Sequence, residues 1–324
     1  MPTRRLFLLG ASALLASPVF GSSPWPAKPL RIVVPFPAGG PTDFVVRQIS
    51  ASLAAELGQP VIIENRPGVS GNLGAQAVAE SEPDGYTLIH NTVGVQAINP
   101  LMFPEARVNP QKDFIGIATT ASMPNVVVVN PQKLPVKTLQ ELVEMGRERP
   151  NRLSVATFGL GTSAHIYGAL LQKLGEFKAV EVPYRGSALA LTDVLGGQVD
   201  FLFDSMTTSI NHVKAGTLRA LAVTAPARTS LLPDVPTMAE AGFPGMDLKF
   251  WFALYAPVRT PTPIVERLRA VLHQVLSDPA YASGLRERGA EPLVTPPSEL
   301  DRFLAADTQR WAEAARQIGI KAQA

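Results

Sequence analysis

The side chains in this sequence best suited to chemistry are four histidines (His90, His165, His212, His273), the carboxylates Asp43 and Asp204, and the hydroxyls of Ser70, Thr162 and Ser163. Catalysis by any of them needs partners at a defined spacing, and that spacing is missing. The histidines are scattered, with no H-E-x-x-H or comparable ligand pattern, so no metal site is predicted. No serine lies in G-x-S-x-G or S-x-x-K; Ser70 in "GVSGN" and Ser163 in "GTSAH" lack the nucleophile's context. Cysteine is absent, which removes disulfides, thiolate metal sites, iron–sulfur clusters and a cysteine nucleophile. A carboxylate pair such as Asp43 with Asp204 would have to be assembled by the fold from distant residues. Nucleotide binding fails on two counts. The loop "PFPAGGPTD" has no lysine to neutralise a phosphate, and "GLGTSA" reaches the third position of G-x-G-x-x-G with Ala164. No cofactor is implied.

What the same loops can do is hold a small anion. "PAGGPTD" follows the strand pattern "LRIVVPF" and precedes a helix in which Val46, Ile49, Leu53 and Leu57 recur until Gly58 closes it. "GLGTSAH" follows "RLSVATF" in the same way. The units "PVIIEN", "DGYTLIHN", "AVEVPY", "VDFLFD" and "LRALAVT" extend the alternation of strands, loops and helices, which predicts an α/β fold with a mostly parallel sheet. Loops after parallel strands gather at the carboxyl ends, where helix N-termini direct free N–H groups and partial positive charge at a ligand. Glycines let those amides approach, and Thr42, Thr162 and Ser163 add hydroxyl donors. Each glycine also has a plain reading as turn geometry. Asp43 reads as a first-turn cap or a ligand contact, His165 as a pocket or structural histidine, and Asp204 as a ligand acceptor or a helix cap. Arg185 reads as a ligand partner or a solvated loop residue. Trp25, Trp251 and Trp311 read as packing residues.

Two strands, "MPNVVVVNP" (123–131) and "KFWFALYAP" (249–257), have no glycine loop and helix after them. A chain crossing from one lobe to another and back produces that pattern. The expected organisation is a discontinuous lobe, 28–125 plus 250–324, around an inserted lobe, 126–249. Ahead of them, residues 1–21 have the layout of an export signal: Arg4 and Arg5, an apolar stretch too short to span a bilayer, then small residues. "TRRLF" resembles a twin-arginine signature. Removing this leader takes away two of 29 basic residues and none of 27 acidic ones, so the formal charge falls from +2 to zero. A neutral mature chain gives no footprint for nucleic acid or an anionic membrane. The expected home is the periplasm.

The series "VVPFPAGGPTDFVVR", "ENRPGVSGNLGAQAVA", "PDGYTL", "GTSAH", "VPYRGSALALTDVLGGQVDF", "AGTLRALAVT" and "LPDVPTMAEAGFPG" resembles, in order, the Bug (TctC-like) proteins. These are extracytoplasmic solute receptors of tripartite tricarboxylate transporters. The resemblance covers essentially the whole mature chain. It implies a two-lobed periplasmic-binding-protein fold, type II-like, that closes on a small mono-, di- or tricarboxylate in the cleft and delivers it, as a monomer, to membrane permease subunits. By the same resemblance Phe36, Ala38, Gly39, Gly40 and Thr42 form one ligand loop, and Gly161, Thr162 and Ser163 another. Ser70, Asn91 and Thr92 line the cleft, with His165 and Asp204 as further candidates. Arg185 stands where relatives more often carry lysine, and Ala164 where proline is frequent nearby, which bears on ligand identity. A sensing receptor that feeds a signalling partner is a second reading of the same fold, and an enzyme acting on a small carboxylate is a third.

Overall fold

The computed structural model describes residues 25–246, 248–320 and 322, so the expected leader, 1–21, lies outside the described residues. The chain begins with β1 (Leu30–Val34), α1 (Pro41–Leu57), β2 (Val61–Asn65), α2 (Asn72–Ala79) and β3 (Thr87–Thr92). The short helices α3 (Asn99–Met102) and α4 (Pro110–Asp113) lead into β4 (Phe114–Ser122). Next come β5 (Asn125–Val129), α5 (Leu139–Glu148), β6 (Ser154–Thr157), α6 (Ser163–Leu174), β7 (Val180–Pro183), α7 (Ser187–Gly196), β8 (Phe201–Ser205), α8 (Met206–Lys214) and β9 (Arg219–Val223). The chain ends with β10 (Trp251–Pro257), α9 (Thr262–Leu276), α10 (Pro279–Arg286), β11 (Glu291–Pro292) and α11 (Pro297–Gln317).

These strands make two sheets, and each is the floor of one lobe. The first has the order β11-β4-β10-β3-β1-β2 and the second β7-β6-β8-β5-β9. The expected parallel pairing holds for β1 with β2 and β3, and for β6 with β7 and β8. It fails where the chain changes sheets: β10 is antiparallel to β3 and β4, and β5 to β8 and β9. These strands adjoin the points where the chain passes between sheets: only Met123 and Pro124 separate β4 from β5, and among the described residues no helix lies between β9 and β10. Strand β4, "FIGIATTAS", was not anticipated, because its threonines and alanines carry no clear alternation. It lies between β10 and β11 and is mostly buried.

Helix α1 follows its sequence pattern closely. Val46, Ile49, Leu53 and Leu57 are buried, and Gly58 takes the left-handed φ of +66° that ends the helix. Strand β10 lies inside its sheet and is buried at every position, which accounts for its unbroken apolar run. Helix α11 spans the lobes: the Trp311 ring lies 5.8 Å from that of Tyr167 in α6, and Trp251 donates its indole N–H to Asp307 at 2.5 Å. Among the described residues no helix is long and apolar enough to cross a membrane.

Candidate functional site

A cavity of about 170 Å³ lies between the lobes. Its walls come from the loops after β1, β6 and β7, from Thr92 and Ser205 at the ends of β3 and β8, and from the start of the antiparallel β5 and β10. Four helices, α1, α6, α7 and α8, begin at this cavity, and in none does the N-cap side chain bond the first-turn amides. Thr162, the N-cap of α6, instead turns its hydroxyl back to the Gly159 carbonyl at 2.6 Å. Unshielded amide groups and aligned peptide dipoles therefore converge on one space, the arrangement that stabilises a small anion.

The α1 and α6 loops share one fastening. Gly39 (φ +79°) and Gly161 (φ +76°) each precede an N-cap residue in the left-handed region. The residue four positions later turns back to accept the glycine N–H: Asp43 from Gly39 at 3.0 Å, and His165 Nδ1 from Gly161 at 3.0 Å. Asp43 is buried and also accepts from Arg47 (2.9 Å) and Asn65 (3.0 Å), while Asn65 donates in addition to the Phe36 carbonyl (3.0 Å). Burial alone would raise the Asp43 pKa, but these donors outweigh it and hold the carboxyl below its ordinary range. Replacing Asp43 with alanine removes the shared acceptor of Gly39, Arg47 and Asn65, donors that are partly open to solvent. Losing such a hydrogen bond costs about 0.5–1.5 kcal/mol. Chemical denaturation should show a loss of that order, with weaker ligand binding; unchanged stability would mean the loop holds itself.

In the other jaw, His165 Nδ1 is an acceptor, so the ring proton sits on Nε2, 3.7 Å from Glu181. Burial lowers the His165 pKa against the opposing pull of Glu181. His90 supports the α1 jaw from below, with Nδ1 3.1 Å from the Thr42 carbonyl and Nε2 2.9 Å from the Thr120 hydroxyl. A carbonyl only accepts, so Nδ1 carries the proton. Asp204 is fully buried and accepts from Ser187 (2.7 Å), Thr208 (2.6 Å) and Ser209 (2.5 Å), tying the start of α7 to α8. Burial raises its pKa, partly offset by those hydroxyls and the Ser205 amide.

Phe36, Ala38, Gly40, Thr42, Thr92, Thr162 and Ser163 line the cavity. Gly39, Ser70, Asn91, Gly161, His165 and Asp204 are not in its walls, though Asn91 and Asp204 accept from two residues that are, Thr92 and Ser187. Asn91 is buried and accepts from the Thr92 amide at 2.8 Å. Ser70, at φ +53°, lies at the meeting of the lobes, its hydroxyl 3.5 Å from where a Gly159 side chain would begin. Gly161 rests against the first lobe: a β-carbon on Gly94 would come 2.7 Å from its carbonyl oxygen. Sequence reasoning missed the wall formed by Gly186–Leu189, although "YRGSAL" repeats the strand–glycine–helix signal. It also missed Asn125, Phe250 and Phe252, which lie on the crossing strands. Arg185 is exposed, lines the cavity, and makes no hydrogen bond or ion pair among the described residues. Among the described residues no three His, Asp or Glu side chains come together to hold a metal.

Residues 45–320 match the sequence model of the tripartite tricarboxylate transporter family receptor, TctC. The chain is 35% identical over 323 residues to protein BugT of Bordetella pertussis, with 98% of each chain covered. It is 37% identical to Rpa4515 of R. palustris, solved with adipate, covering 92% of this chain and all of that one with a TM-score of 0.87. MatC of Rhodopseudomonas palustris, solved with malate, is 34% identical over 90% of this chain and 99% of its own, with a TM-score of 0.82.

Proposed function

Because this chain belongs to the TctC (Bug) family of tripartite tricarboxylate transporter receptors, we propose that it captures a small organic acid between its lobes and delivers it to a membrane permease of that transporter class. The observation that carries this reading is the pair of fastened glycine loops, one from each lobe, presenting amides to one cavity. Thr42 and Ser163 add hydroxyls; Ser163 accepts from Asn125 at 3.2 Å, which leaves its own hydrogen for a ligand oxygen. Relatives that hold adipate and malate support a carboxylate as the anion.

The lobes we assign are 28–125 with 250–324, and 126–249. A ligand touching both favours the closed form, which is what a permease can read. The receptor acts as a periplasmic monomer without chemistry of its own, since Asp43 and Asp204, the carboxylates available for a catalytic pair, are consumed in internal hydrogen bonds.

Thermal unfolding with a panel of mono-, di- and tricarboxylates tests the reading. A ligand at a hundred times its Kd stabilises the native state by about 2.7 kcal/mol, a rise of several degrees. Gly40→Val, at an N-cap whose φ is an ordinary −79°, should leave unfolding cooperative and weaken binding at least tenfold by covering the amides. The reading fails if no acid on the panel shifts the transition.

A further inference from the structure

Resting on the receptor reading above, we infer that the ligand is a carboxylate with an apolar body, a single ring or short unsubstituted alkyl chain, and a second anionic group at its far end. The walls carry this. Phe36, Phe158, Phe250, Phe252, Met123 and Leu189 all face the cavity, so the middle of a ligand meets rings and aliphatic surface.

The hydroxyls around those walls are mostly committed. Ser187 donates to Asp204 at 2.7 Å, Thr162 to Gly159 at 2.6 Å, and Ser205 lies against Met123 and Thr207. The lining hydroxyls left to donate to a ligand are those of Thr42 and Ser163, nearly inaccessible at the N-termini of α1 and α6, and of Thr92, which accepts from the Val95 amide at 3.4 Å. One carboxylate is pinned there. A body decorated with hydroxyls would place polar groups against Phe and Met surface, where unmet hydrogen bonds weaken binding.

The open edge of the cavity carries the exposed lining residues Ala38, Arg185, Ala188 and Leu189. Among the described residues Arg185 is the one charged residue in the lining, and none of them pairs with it. A planar guanidinium free of internal partners at that edge suits a second carboxylate, which it can engage through two N–H groups.

The test is calorimetric titration of the purified chain with benzoate, isophthalate and adipate against malate, tartrate and citrate, repeated on Arg185→Gln. Isophthalate or adipate should bind at least tenfold more tightly than malate, tartrate or citrate, the scale on which an apolar pocket discriminates. Arg185→Gln should weaken isophthalate about tenfold and leave benzoate within twofold, while its thermal unfolding without ligand stays unchanged. Malate, tartrate or citrate binding as tightly as the apolar diacids overturns the inference and leaves the receptor reading standing. Equal loss for benzoate and isophthalate in the variant overturns the role of Arg185. Failure of all six acids to bind overturns the inference and the receptor reading together.

Discussion

Gly94→Ala is expected to abolish tight ligand binding while leaving the fold intact or slightly more stable. Gly94 begins the helical turn Gly94–Ile98 after β3 and has no left-handed φ, so alanine suits its backbone. Removing glycine from a helical position is worth roughly 0.5–1 kcal/mol of stability. The added β-carbon, however, would come 2.7 Å from the Gly161 carbonyl oxygen on the other lobe. A backbone oxygen fixed by a turn cannot yield as a side chain would, so the lobes must separate. Overpacking of this kind costs about 1–3 kcal/mol, here charged to the closed state alone. That is a tenfold to hundredfold loss of affinity, read by titration calorimetry beside a thermal scan. Gly161→Ala is a less clean probe, because its φ of +76° adds backbone strain to contacts of 3.1–3.3 Å with Asn99, Met102 and Ile98. Wild-type affinity in Gly94→Ala would show that the liganded protein does not bring these two glycines together.

Acid should destabilise the protein through His90. Burial depresses its pKa from 6.5 to about 3, against weaker opposing pulls from the Thr42 carbonyl and Asp43. The unfolded chain takes up this proton near pH 6.5, while the folded chain resists until about pH 3. The stability it contributes is therefore complete above about pH 6.5 and is lost as the pH falls towards 3. The full loss is on the order of 5 kcal/mol. His90→Gln can still donate to the Thr42 carbonyl and accept from Thr120, but cannot titrate. Urea unfolding at pH 7 and pH 4 should give a clearly smaller difference in the variant than in wild type. The same difference in both would assign the acid lability to other groups, such as His165 and Asp43.

Local patterns made much of the fold legible. The spacing in α1 and the glycine at its end sufficed, because a helix on a sheet shows its buried face every third or fourth residue. The strands that change sheets were visible as interruptions, but their antiparallel direction depends on where the chain is already committed. At the site, the sequence showed which residues follow strands and not which way their side chains turn. Asp43 and His165 turn back to the preceding loop, so neither stands in the cavity wall. Asp204 is drawn inward by three hydroxyls contributed by α7 and α8. Phe250 and Asn125 reach the cavity because β10 and β5 start there, a fact of topology and not of motif.

The four-residue interval from Gly39 to Asp43, repeated from Gly161 to His165, divides this molecule into parts that drift can and cannot touch. One residue inserted into either stretch would rotate the accepting side chain by about 100° around its helix, away from the glycine it fastens. Substitutions in the walls leave both intervals untouched. Anchoring thus depends on a count of residues and discrimination on their kinds. A lineage can exchange one acid for another by point mutation while its length across these two stretches stays fixed.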